Sequence, residues 1–265
     1  MIISPHIVIS LLTIVPLTTL AFPAQSISVK CENPNYYSTK YSMRGYSEEP
    51  NLDLLMSSLI QTTPRAGFVA SIIGEPPHQV YGLAQCRSDV SNESCTSCLV
   101  KASQYLLRSC PYENGGIAYF DQCAVRYSAD NFFFQLSTIE QHFAGCMLLS
   151  PPNEYQFKKQ IFSMVKSISQ IAAFNKTVRM FATGVNTQVY NSSRVYGMVQ
   201  CTRDLSEHQC YKCLRQSFYR LSSVCVGSWE STSGSLSCIL KISRVKVFDS
   251  DLTWVPPPDP DSMES

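Results

Sequence analysis

Residues 86–98 read CRSDVSNESCTSC, and 115 positions later residues 201–213 read CTRDLSEHQCYKC. Both are C-x8-C-x2-C, and the match extends outward in each direction. Cys31, Cys86, Cys95, Cys98, Cys110 and Cys123 recur, each 115 residues on, as Cys146, Cys201, Cys210, Cys213, Cys225 and Cys238. The 265-residue chain is therefore a tandem duplication of one six-cysteine module. An even number in each copy, with none left over, points to disulfides closed within a module, although spacing alone leaves the pairing open. Residues beside the cysteines repeat too: Tyr81-Gly82, Gln85, Asp89, Leu99 and Phe133 return as Tyr196-Gly197, Gln200, Asp204, Leu214 and Phe248. The loops differ, so the copies are expected to share a scaffold and differ in surface.

The amino-terminal stretch from Ile7 to Ala21 is almost wholly apolar. It has the length of a signal-peptide core and falls short of the roughly 20 residues that span a bilayer. Small residues place cleavage after Ala21 or Ser26, and residues 1–26 read as a signal peptide. Cysteine usage agrees, since structural disulfides persist in oxidising compartments. Sequons at Asn92, Asn175 and Asn191 are candidate glycosylation sites on the same route. Residues 249–265 form a Pro-rich acidic tail, and no apolar run follows Trp254-Val255-Pro256-Pro257-Pro258. A freely secreted product without a membrane span is the expectation.

Within each copy the periodicity changes in the same order. Leu52, Leu55, Met56 and Leu59 keep helical spacing, as do Phe157, Ile161, Met164, Val165, Ile168 and Ile171. Pro64 is expected to stop the first of these helices. A second helix is expected to begin at each C-x2-C pair, with Cys95, Cys98, Leu99, Ala102 and Leu106, or Cys210, Cys213, Leu214, Ser217 and Leu221, on one face. Strands are predicted at residues 67–72, 78–86, 117–127 and 131–136, separated by Pro76-Pro77 and Gly115-Gly116. In the second copy they are predicted at 178–182, 194–201, 235–242 and 244–248. An antiparallel sheet packed against helices, the α+β class, follows. The domains are read as 27–135 and 136–248. With helices, strands and three bridges in each, a cut after Gly145 is expected to leave two separately folding halves with an exposed seam.

The duplicated C-x8-C-x2-C core, preceded by Tyr-Gly and by a signal peptide, resembles the plant cysteine-rich repeat secretory proteins. Their repeat is the ginkbilobin-homologous, or stress-antifungal, domain. The resemblance implies a five-stranded antiparallel sheet against two helices in each module, with three disulfides. Transferred by cysteine order, these are Cys31 to Cys110, Cys86 to Cys95, Cys98 to Cys123, Cys146 to Cys225, Cys201 to Cys210 and Cys213 to Cys238. Ginkbilobin's mannose site uses an Asn just after the first cysteine, an Arg seven residues after the fifth and a Glu five after the sixth. This chain has Glu32, Ile117 and Ser128 at those positions in the first copy, and Met147, Thr232 and Ser243 in the second. An apolar Ile or Met cannot supply the hydrogen bonds that fix a sugar hydroxyl.

Other chemistry finds little support in the residues. Zinc on the C-x2-C pairs is disfavoured by the two extra cysteines per module and the signal, and a redox role lacks a βαβ context. Outside the signal the histidines are His78, His142 and His208, at unrelated points of the repeat, and no catalytic motif accompanies them. No enzyme, metal, cofactor or nucleic-acid role is expected. Phe132-Phe133-Phe134, read as a strand, would put Phe133 opposite its neighbours, with one face either exposed as a sugar platform or covered by the second module. Charge is uneven: residues 31–145 carry 7 Lys/Arg against 11 Asp/Glu, and residues 146–248 carry 13 against 4. A basic second module suits anionic glycans or lipid headgroups, or docking on the acidic first module or tail. The resemblance thus implies a secreted, non-enzymatic recognition protein of the plant apoplast, in stress or defence, meeting an extracellular protein partner or a cell-wall glycan. Its rivals are an antifungal lectin and the ectodomain of a cysteine-rich receptor-like kinase. The ligand-binding residues are unknown, and self-association or association with other chains is left open.

Overall fold

The computed structural model describes residues 28–32, 50–110, 114–137, 142–147, 153–178, 180–189, 193–225, 228–248, 251 and 253–255. The first copy runs β1 (Ser28–Glu32), α1 (Pro50–Ala66), β2 (Phe68–Ile73), β3 (Val80–Cys86), α2 (Asn92–Ser109), β4 (Gly115–Tyr119) and β5 (Cys123–Ser128). The second runs β6 (Phe143–Cys146), α3 (Glu154–Phe174), β7 (Phe181–Val189), β8 (Ser193–Cys201), α4 (Glu207–Val224), β9 (Ser231–Gly234) and β10 (Cys238–Ser243). Their antiparallel sheets are ordered β1-β4-β5-β3-β2 and β6-β9-β10-β8-β7. This is the α+β architecture of five strands and two helices per module. Among the described residues no helix is long and apolar enough to cross a membrane.

Alternation along each strand divides the sheets into two faces. On β5, Cys123, Val125 and Tyr127 join Leu52, Leu55, Leu59, Leu99 and Leu106 in the first helix–sheet core. On β10, Cys238, Leu240 and Ile242 join Met164, Ile168, Leu214 and Leu221 in the second. Fully burying one such Leu contributes about 1.5–3 kcal/mol. The bridges Cys31–Cys110, Cys86–Cys95 and Cys98–Cys123 clamp the helix α2 region to β1, β3 and β5. Cys146–Cys225, Cys201–Cys210 and Cys213–Cys238 do the same in the second copy.

The helices start a turn before their C-x2-C pairs. Ser91 caps α2 by accepting the Ser94 amide, and Ser206 with Gln209 forms a capping box on α4. The S-x-x-Q of that box was a legible start signal. Pro64 does not stop α1; it lies in the last turn, the helix runs on to Ala66, and Gly67 ends it. With φ +73°, Gly67 takes the left-handed conformation and donates its amide to Thr63 O at 2.7 Å.

Several strand expectations are corrected. Residues 117–127 are not one strand but the hairpin β4–β5, turning at Asp121-Gln122, where the Phe120 amide bonds Cys123 O at 2.9 Å. Residues 235–242 likewise contain a turn at Leu236-Ser237 before β10. Gly115-Gly116 lie within β4, not between elements. Residues 131–136 and 244–248 are irregular, and Phe134 has φ +62°, which ends any extended run. The edge strands β1 and β6 carry little period-2 signal of their own. Because β6 starts at Phe143, a cut after Gly145 would remove Phe143, Ala144 and Gly145 from the sheet they complete; separation belongs before that strand.

The second sheet faces pack on each other. Ile117, Tyr119 and Ala124 of the first copy meet Leu236 and Ile239 of the second in a dry cluster. The two hairpin turns latch reciprocally: Lys241 Nζ binds Asp121 Oδ1 at 2.6 Å, and Arg126 Nη1 binds Leu236 O at 3.1 Å. Arg126 and Lys241 are 115 residues apart, as are Asp121 and Leu236, so this is a pseudo-twofold contact. Gln85, fully buried, donates to Cys201 O at 3.0 Å and accepts the Arg203 amide at 3.1 Å. Symmetry fails at its copy: Arg203 Nη2 takes Cys86 O at 3.3 Å, and the buried Gln200 amide nitrogen has no partner among the described groups.

One buried group makes the second module sensitive to acid. His142, 5% exposed, lies with Nδ1 3.1 Å from Ser217 Oγ on α4. Burial holds its pKa below the ordinary 6.5; Gln216 opposes this and the Arg220 charge reinforces it. A neutral folded-state imidazole means that the unfolded chain binds the extra proton below about pH 6.5, so stability falls as pH drops through that range. Denaturation midpoints measured from pH 7.5 to 5.5 should decline, and His142→Asn should flatten the decline. An unchanged slope in that variant would refute the assignment.

Candidate functional site

At the first copy's end of the seam face, Glu32 on β1 and Ser128 on β5 flank Gly115 of β4. A Cβ at residue 115 would lie 2.6 Å from Glu32 Oε2 and 2.4 Å from Tyr127 O. Only glycine lets Glu32 cross the strand. Its carboxylate accepts Ser128 Oγ at 2.6 Å and Arg126 Nη2 at 2.8 Å. Arg126 also lies 3.8 Å from the centroid of the Phe132 ring, leaving its guanidinium enclosed. Ile117 is wholly buried in the seam. In the first copy the position is thus filled by the protein's own side chains.

The second copy keeps the serine, as Ser243, which like Ser128 accepts the amide two residues on, but it lacks the carboxylate that Ser128 binds. Met147 replaces the carboxylate and is 58% exposed, and Thr232 replaces Ile117. What remains is a groove of about 860 Å³ running from Met147, Thr232, Ser243 and Lys246 across to Arg87 and Asp121 of the first module. The Lys241–Asp121 pair crosses it. Burial lowers the Lys241 pKa, against the raising effect of Asp121. Arg87 is fixed by Asp89 at 2.5 Å and by the carbonyls of Asp121 and Val247 at 2.9 and 2.7 Å. Hydroxyls, an ion pair and an exposed thioether share this concave space with apolar side chains such as Phe143 and Val247.

Among the other sites expected from sequence, Asn92 is exposed at the first position of α2 and Asn175 is exposed at the carboxyl end of α3. Asn191 lies outside the described residues, as do the signal segment 1–26 and most of the tail. All cysteines are bridged. His78, His142 and His208 fall before β3, before β6 and on α4. The three phenylalanines behave unlike a strand: Phe132 is buried, Phe133 stacks edge-on with Tyr81 at 5.8 Å, and the Phe134 ring is 72% exposed. The backbone of Phe134 meets the second module, through Asp204 and Gln209. Tyr196 and Phe248 repeat the Tyr81–Phe133 pair at 6.0 Å. Sequence reading missed Arg126, Lys241 and Asp121; its available signal was a basic residue at both 126 and 241.

Known proteins share this framework. The sequence matches the salt stress response/antifungal family over residues 30–130 and 146–245. The chain belongs to that family. It is 35% identical over 179 residues to cysteine-rich repeat secretory protein 38 of Arabidopsis thaliana, covering 68% of this chain and 70% of that one. It is 32% identical over 204 residues to an antimicrobial ginkbilobin-2-like protein of Castanea crenata, covering 76% and 83%. The fold is also that of the tandem ectodomain of the cysteine-rich receptor-like protein PDLP8 of Arabidopsis thaliana, with TM-score 0.63 at 22% identity over 82% of this chain and 96% of that one. The relatives thus include a secretory and an antimicrobial protein, and a receptor-like ectodomain shares the fold. The enclosed cluster and the open groove are two outcomes on one stress-antifungal scaffold.

Proposed function

We propose that this chain is a secreted, non-enzymatic recognition protein of the plant apoplast, acting in stress or defence, whose ligand occupies the groove between its modules. The reading also takes residues 1–26 as a cleaved signal, 27–135 and 136–248 as the modules, and Asn92, Asn175 and Asn191 as glycan acceptors. One observation carries it: the scaffold position closed by Glu32, Arg126 and Ser128 in the first copy stands open in the second. The ligand class is an extracellular protein or a wall glycan; the groove's mixed lining, apolar side chains with hydroxyls and an ion pair among them, serves either.

A glycan array and a pulldown of extracellular receptor domains, run on the native chain and on Thr232→Arg, test this. Binding that the substitution weakens at least about tenfold supports the groove. Binding indifferent to it would place recognition elsewhere. Calorimetric titration with mannose is expected to show no saturable heat, because Met147, Thr232 and Ser243 cannot reproduce an Asn, Arg and Glu hydrogen-bond set, and each buried hydroxyl left unpaired costs about 1–3 kcal/mol. Saturable mannose binding lost in Ser243→Ala would favour the antifungal lectin reading.

A further inference from the structure

Helices α3 and α4 cover the face of the second sheet opposite the seam, since Leu240 and Ile242 of β10 point into the helix core while Ile239 and Lys241 point to the first module. The first module therefore does not shield their outer surface. A trench of about 520 Å³ runs between them, lined by Phe162 and Lys166 of α3 and by Tyr211, Arg215, Phe218 and Tyr219 of α4. Past Phe162 and Phe218 it continues into a second hollow of about 350 Å³ that includes Tyr155 and Lys159. Phe162 is 53% exposed and Tyr219 71%, so large apolar rings face water. Each of the two helices carries three Lys/Arg and a single Glu, the Glu being its first residue.

The first copy supplies an internal comparison. The 115-residue shift puts Thr96, Val100, Ser103 and Gln104 on α2 where α4 has Tyr211, Arg215, Phe218 and Tyr219. Helix α1 carries one acid and one base. The framework thus does not require rings and cations on this face; the second copy alone has them.

Exposed rings interleaved with cations in a concave channel suit an anionic chain with apolar ring faces. Aromatic side chains offer flat apolar surface with a negative face, and guanidinium pairs with carboxylate. A bilayer needs a protruding apolar wedge, not a trench. An extended peptide gains affinity from a sheet edge, and helical walls offer it no main-chain partners. We propose that the α3–α4 trench of the second module binds a carboxylated polysaccharide, a polyuronate, independently of the groove between the modules.

The probe is polygalacturonate, titrated onto the full secreted chain beside its methyl-esterified form, neutral mannan and anionic phospholipid vesicles. Saturable binding to polygalacturonate, weakened by salt and at least about tenfold weaker to the ester, is expected. Lys166→Glu with Arg215→Glu should reduce affinity by at least about tenfold, and Lys101→Glu on α2 should leave it unchanged. Tyr219→Gln, which introduces the residue of the first copy at an exposed position, should weaken binding without altering the melting curve. It carries the test if the charge-reversed chain fails to fold. Equal affinity for the esterified polymer, preference for vesicles, no binding, or binding indifferent to Tyr219→Gln would each overturn the proposal. Thr232→Arg separates the two surfaces, because it should leave polygalacturonate binding intact.

Discussion

Ile117→Arg, which puts back the basic residue of ginkbilobin's sugar site in the first copy, is expected to destabilise the chain by about 4 kcal/mol or more. Residue 117 is fully buried among Tyr119, Ala124, Leu236 and Ile239, and its cross-strand partner is Arg126. The new cation would have no carboxylate there, since Glu32 is already engaged by Arg126 and Ser128. Thr232→Arg makes the same exchange 115 residues later on the groove's rim, near Asp121 and Glu230, and is expected to stay within about 1 kcal/mol. Denaturant unfolding of both variants beside the parent measures the difference. Equal stabilities would mean that the seam is not closed in solution, and the contrast between the two copies would fall with it.

Removing one bridge has an effect of similar size. In Cys98→Ala/Cys123→Ala the tie between α2 and β5 is lost, and with it the restriction it places on the unfolded chain. A loss of about 2–4 kcal/mol is expected, lowering the melting temperature by about 5–15 °C. Cys213→Ala/Cys238→Ala should match it, because the bridge has the same sequence separation of 25 residues in both copies. Non-reducing peptide mapping should recover the remaining five pairs intact in each variant. A bridge formed between the two copies, or an unchanged melting temperature, would contradict a framework closed within each module.

Local signals and long-range contacts divide the structure between them. Cysteine spacing alone established the duplication, because a repeat of 115 residues at six positions survives any drift in the loops. Helical periodicity placed Leu52, Leu55 and Leu59, and Met164 and Ile168, on buried faces, because one apolar stripe must meet the sheet. Strand limits were harder to read. The β-prone residues on both sides of Asp121-Gln122 hid a turn whose Asp121 is held by Lys241, 120 residues away in sequence. Gly115-Gly116 looked like a separator, and the structure shows that Glu32 needs the space above residue 115. Ile117 and Thr232 occupy one position of the repeat, and nothing local distinguishes a seam residue from a groove residue. Only the approach of the two sheets, with Gln85 on Cys201 and Arg126 on Leu236, closes one copy's position and leaves the other open. Periodicity reports which face of an element is apolar, whereas packing between distant elements decides what covers that face.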